Sequence, residues 1–77
     1  MYRLCDLKIG ESCRVKKLSA KGKLLNRFTD IGIIEDTVIK CEIISPQGDP
    51  KAYLIRGAKI AIRNKDAALI LAGDDYG

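Results

Sequence analysis

Five residues, Pro46-Gln47-Gly48-Asp49-Pro50, separate two stretches of alternating apolar residues and cannot themselves be helix or central strand. Each proline fixes φ and has no N–H to donate, and the glycine between them lets the chain reverse direction. Before this turn, residues 37–45 are predicted to form a strand. Ile39, Cys41 and Ile43 share one face of it, and Val38, Lys40, Glu42 and Ile44 the other. The second face is mixed, so the first is expected to meet the core. After the turn, residues 51–56 resume as a strand rich in Tyr53, Leu54 and Ile55. Gly57 turns the chain again, and Ala58, Ile60 and Ile62 then alternate with Lys59, Ala61 and Arg63 in a further strand.

Upstream, Cys13 and Val15 alternate with Arg14 and Lys16, the pattern of a half-buried strand over residues 12–18. Leu4 and Leu7 suit one turn of helix ended by Gly10. Residues 23–31 predict the one clear helix. Leu24, Phe28 and Ile31 recur at i, i+4 and i+7 with Leu25 beside them, while Asn26, Arg27 and Asp30 fall opposite. Gly32 is placed to close it at C′. Asn64 is expected to cap a short helical turn from Lys65, with Asp66 near its positive end. Residues 68–72 could close the sheet as a last short strand, and residues 73–77 look like a frayed tail. The sum is a mainly β chain, a small barrel with one helix inserted after the first strand and a short helical turn near the C-terminus. We expect one domain over residues 1–73 and a flexible tail over 74–77.

At 77 residues, such a domain buries only ~60% of what its unfolded chain exposes, leaving little room for a deep active site. The chain has no histidine, so it lacks the commonest general base and the commonest transition-metal ligand, and Ser12, Ser19 and Ser45 have no partner for a nucleophilic triad. Cys5, Cys13 and Cys41 form no close pair of the kind zinc sites show, and read instead as small apolar packing residues. No phosphate-cradling glycine motif occurs. The expectation is a protein that is not an enzyme and carries no cofactor or metal. No apolar run approaches the ~20 residues of a membrane span, and residues 1–10 lack a secretory signal, so a cytoplasmic protein without direct membrane insertion is expected. Fourteen Lys and Arg against ten Asp and Glu leave a net charge of +4. That admits nucleic acid as a partner, but aromatic residues are sparse and acidic residues interleave with the lysines, which ranks nucleic acid second.

Several blocks together resemble the FeoA family: Leu4-x-x-Leu7-Lys8-x-Gly10-Glu11, Arg27-Phe28-x-Asp30-Ile31-Gly32-Ile33, Gly48-Asp49-Pro50, and Ile60-Ala61-Ile62-Arg63-x-x-Asp66-Ala67-x-x-Ile70. The resemblance spans residues 4–71 with the blocks in family order. It implies an SH3-like β-barrel and a small accessory protein of bacterial ferrous iron transport. Such a protein assists the membrane transporter FeoB, whose cytosolic part is a GTPase domain, and is recruited by it to the inner face of the membrane. It implies no catalytic set. Gly32, Gly48, Asp49, Pro50, Arg63, Asp66 and Ala67 match the family pattern and read as structural: helix end, hairpin turn, strand end and cap. One departure is visible. Glu35-Asp36 stands where the family often has Pro-Gly, a turn that asparagine-like tolerance of left-handed geometry in aspartate can preserve.

A docking module needs a surface patch rather than a site. Lys23, Leu25, Asn26 and Arg27 on the helix, with Lys51 and Tyr53 on the strand after the Gly48-Asp49-Pro50 turn, are the candidate partner-binding residues. An open barrel edge also leaves room for self-association or for strand addition by a partner. The alternative function is a nucleic-acid-binding or transcription-associated SH3-like module.

Overall fold

The computed structural model describes residues 1–74. It contains β1 (Tyr2–Arg3), a turn of 310 helix (Leu4–Asp6), β2 (Ser12–Leu18), α1 (Gly22–Asp30), β3 (Val38–Ile44), β4 (Lys51–Ile55), β5 (Ala58–Ile62), α2 (Asn64–Ala67) and β6 (Ile70–Asp74). The strands form one antiparallel sheet in the order β1-β6-β2-β3-β4-β5. β1 and β5 are its two edges and do not pair with each other, so the barrel is open. The inserted helix follows β2, because the two-residue β1 precedes the expected first strand. So short a strand has no periodicity to read, and Tyr2 and Arg3 simply pair with Ala72 and Leu71. Of the expected tail, Gly73 and Asp74 continue β6 opposite Arg14 and Cys13, and residues 75–77 lie outside the described residues.

The core follows the alternation of the strands. Cys13 and Val15 of β2, Ile39 and Cys41 of β3, Tyr53 and Ile55 of β4, Ile62 of β5, and Ile70 and Ala72 of β6 all point inward. Leu4 and Leu7 are buried and close one end; the helical turn expected there is Leu4–Asp6 and ends at Leu7, not at Gly10. Cys13 and Cys41 are fully buried in the core, and Cys5 is partly buried against the same cluster. The period breaks once. A bulge between Cys41 and Ile43 inserts Glu42 and turns Ile43 outward, against the expectation that Ile39, Cys41 and Ile43 share the buried face.

α1 lays Phe28 into the core, with Leu24, Leu25 and Ile31 partly buried beside it. It ends in a Schellman motif. Gly32 N–H donates to Thr29 O at 3.0 Å and Ile33 N–H to Phe28 O at 2.8 Å, with Gly32 at φ 93°. Ile33 and Phe28, both buried, supply the hydrophobic contact that accompanies this motif. The following loop turns at Asp36, whose φ of 71° is the left-handed geometry expected of it. Thr37, itself buried, ties the loop down: its hydroxyl donates to Gly32 O at 3.0 Å and accepts from Ile34 N–H at 3.2 Å.

Candidate functional site

The second edge of the sheet ends beside the helix. β4 and β5 are joined by Arg56 and Gly57, with φ of 50° and 83°. Two positive φ values in a two-residue loop make a type I′ turn, whose twist matches that of the flanking strands. The Arg56 side chain crosses Gly32 at the end of α1: a Cβ there would lie 2.7 Å from Arg56 Cδ. The tip of the hairpin is thus held against the helix, and a groove runs between α1 and β5. Its volume is ≈ 360 Å³. Leu24 and Phe28 of α1, with Ile31 just past its end, face Ile60 and Ile62 of β5 across it, and Pro50 closes one side. Arg27, Arg63 and Lys65 stand around it as cations, with Asp66 the one acid among its lining residues.

Of the Gly48-Asp49-Pro50 turn, Pro50 lines this groove, and Gly48 and Asp49 hold α2. Asp49 Oδ1 accepts a hydrogen bond at 2.8 Å from the backbone N–H of Asn64, the first residue of α2. Asn64 Nδ2 donates at 2.9 Å to Gly48 O. The expected role of Asn64 as cap is therefore corrected. Arg63 occupies the N-cap position without a side-chain bond, and the cap comes from Asp49 across space. Gly48 N–H donates to Ser45 O at 2.8 Å to close the turn, and the Asp49–Pro50 peptide is cis. Ala67, the last residue of α2, is fully buried, and Asp66 before it is half-buried.

The candidate docking residues separate. Lys23, Asn26 and Arg27 are exposed on α1, and of these Arg27 lines the groove. Leu25 is half-buried and packs on the core. Lys51 reaches the N-terminal segment, where its Nζ donates to the carbonyl oxygens of Cys5 and Leu7. It fastens β4 to that segment rather than reaching outward. Tyr53 is fully buried between strands and offers no surface to a partner. Its hydroxyl has no hydrogen-bond partner among the described residues. Burial, with the neighbouring thiols, holds its phenol well above the usual tyrosine range. Burial likewise raises the Cys41 thiol, only partly offset by the Lys51 charge.

The residues that sequence reasoning missed are Leu24, Ile60 and Lys65, which join Arg27, Arg63 and Pro50 only in the folded chain. Leu24 and Ile60 read as ordinary core positions in a periodic pattern, and nothing local marks them as half-open. Elsewhere, Ile9, Ile34, Val38 and Ile43 are exposed apolar residues outside this groove. Among the described residues, no three of Cys, Asp and Glu gather as a metal site would require. No helix among them is long and apolar enough to cross a membrane.

The FeoA domain family model matches residues 2–72. The solution structure of iron(II) transport protein A from Clostridium thermocellum is similar, with 28% identity and a TM-score of 0.88. That alignment covers 91% of this chain and 43% of that one, so the chain spans less than half of that protein. A FeoA-like protein from Clostridium acetobutylicum is 29% identical, with a TM-score of 0.86, over 95% of this chain and 85% of the other. The zinc-complexed FeoA of Stenotrophomonas maltophilia, described as a prokaryotic SH3 domain protein, has a TM-score of 0.78 over 95% of this chain and 91% of that one. At 18% identity, this last likeness shows the SH3-like fold alone. No curated protein matches the sequence. With the family match over nearly all the described residues, and the open six-stranded barrel with its inserted helix found in relatives of that name, the chain belongs to the FeoA domain family.

Proposed function

We propose that this protein is a non-catalytic accessory of ferrous iron uptake that works on the cytoplasmic side of the membrane and docks on the transporter FeoB. The observation that carries the reading is the groove between α1 and β5, with its apolar floor and its three cations. Family membership supports the iron-transport role. A groove of this kind suits protein recognition, because an apolar centre rimmed by charge is the usual anatomy of a docking patch. Arg27 is the residue that belongs both to the exposed helix face and to the groove, so it is the first to change. Lys23 and Asn26 extend the same face.

The test is affinity capture of the tagged protein from detergent-solubilised cells of its own source grown with little iron. FeoB is expected among the captured proteins, and Arg27→Glu is expected to lose it while keeping the wild-type melting temperature. Recovery of nucleic acid or ribosomal proteins in place of the transporter would overturn the docking reading in favour of a nucleic-acid-binding module.

A further inference from the structure

The groove has a backbone wall as well as a side-chain floor. β5 is an edge strand, paired on one side to β4. In a two-residue hairpin the closing pair, here Ile55 and Ala58, exchanges both hydrogen bonds, and bonded and non-bonded pairs then alternate. Tyr53 with Ile60 and Lys51 with Ile62 are the next bonded pairs. The N–H and C=O groups of Lys59 and Ala61 therefore point away from β4, toward the open edge. Among the described residues, no further backbone hydrogen bond reaches them. Lys59 and Ala61 are both exposed. An unpaired strand edge beside an apolar groove is the arrangement to which an extended segment adds by backbone pairing.

The charge around the edge selects the segment. Arg27, Arg63 and Lys65 rim the groove against the single acid Asp66, and Lys59 adds a further cation on the strand itself. Side chains of an added strand alternate between its two faces. One set would rest on Leu24, Phe28 and Ile60, and the other would stand at the cationic rim. A segment alternating apolar and acidic residues satisfies both. We propose that the partner engages this protein by strand addition: an extended, alternately apolar and acidic segment of another protein pairs with β5 through Lys59 and Ala61. The inference rests on the docking reading above and specifies its mode.

The probe is the blocked peptide Glu-Val-Glu-Val-Glu-Val-Glu, titrated into isotope-labelled protein, with the same peptide carrying lysine for glutamate as control. Amide shifts confined to β5 and α1 are expected, with slowed hydrogen exchange at Lys59 and Ala61. The acidic peptide should bind tighter than the lysine peptide by roughly tenfold or more, and Arg27→Glu with Arg63→Glu should reverse that preference. Ala61→Pro removes one outward N–H while leaving the ladder to β4 intact, and should abolish the exchange protection. If that variant does not fold, the charge reversal carries the test alone. Absence of acidic-peptide binding at about 1 mM, shifts centred elsewhere, or no discrimination by charge would each overturn the proposal. So would a protein that sediments as a dimer joined through β5, since a second copy would then hold the edge. FeoB captured equally well by wild type and Ala61→Pro, but lost by Arg27→Glu, would refute strand addition and leave docking at the groove standing, whereas no capture by wild type would refute docking itself.

Discussion

Replacing Tyr53 by phenylalanine should stabilise this protein. The ring is fully buried on β4 opposite Cys41, and its hydroxyl has no hydrogen-bond partner among the described residues. A buried polar group left unsatisfied costs about 1–3 kcal/mol relative to its solvated state, and Tyr53→Phe deletes that cost. The void left by one oxygen returns a few tenths of a kcal/mol at roughly 24 cal/mol per Å³. The net gain is about 1–2 kcal/mol at pH 7, and each kcal/mol raises Tm by roughly 4–8 °C in a domain of this size. Urea unfolding followed by circular dichroism should show a higher midpoint with an unchanged slope. The gain should widen in alkali. The phenol is held above its ordinary value in the folded state, so it contributes stability below the unfolded pKa of about 10 that is lost as pH rises toward the folded value. Phenylalanine has no such loss. A variant no more stable than wild type at pH 7, or one whose advantage shrinks above pH ~10, would refute the orphaned hydroxyl.

Phe28→Ala should cost about 3–5 kcal/mol, enough to unfold much of the population, because Phe28 anchors α1 in the core. An unchanged melting temperature would show that another face holds the helix. Gly32→Ala should cost about 1 kcal/mol or more for its positive φ, plus the clash with Arg56. Adding Arg56→Ala should recover the clash and leave the backbone share, which a double-mutant cycle separates. Asp49→Ala should destabilise by about 0.5–2 kcal/mol through loss of the α2 cap, and amide exchange at Asn64 should quicken. An unaffected Asn64 amide would place the cap elsewhere.

The parts of the fold readable in the sequence are those written in short periods. Leu24, Phe28 and Ile31 at helical spacing found α1, and alternation found β2 through β5 within a residue or so of their ends. Gly32 and Asp36 announced left-handed geometry by residue type. What stayed hidden depends on neighbours distant in sequence. The bulge at Glu42 that turns Ile43 outward answers to pairing with β4, not to anything in residues 37–45. Asp49 caps a helix that begins fifteen residues later, where Asn64 looked like the local answer. Tyr53 and Lys51 carry side chains common at binding surfaces, yet strand register sends one into the core and the other across to the N-terminal segment. Arg27 alone of the candidate patch reached the groove, because the other wall is an edge strand whose openness no local pattern encodes.

The strand order has a consequence for the growing chain. β6 lies between β1 and β2, so the sheet remains in two pieces until residues 70–74 have been made. The run from β2 to β5 pairs between successive strands and can assemble as it emerges, while β1 has nothing to join. During that interval β2 presents a bare flank to every other nascent chain nearby, the condition under which half-made sheets stick together. β2 carries Arg14, Lys16 and Lys17, and like charges on such a flank repel a second copy. In the finished protein the Lys16 side chain lies across Gly73 of β6, folded over the very strand it kept a place for during synthesis.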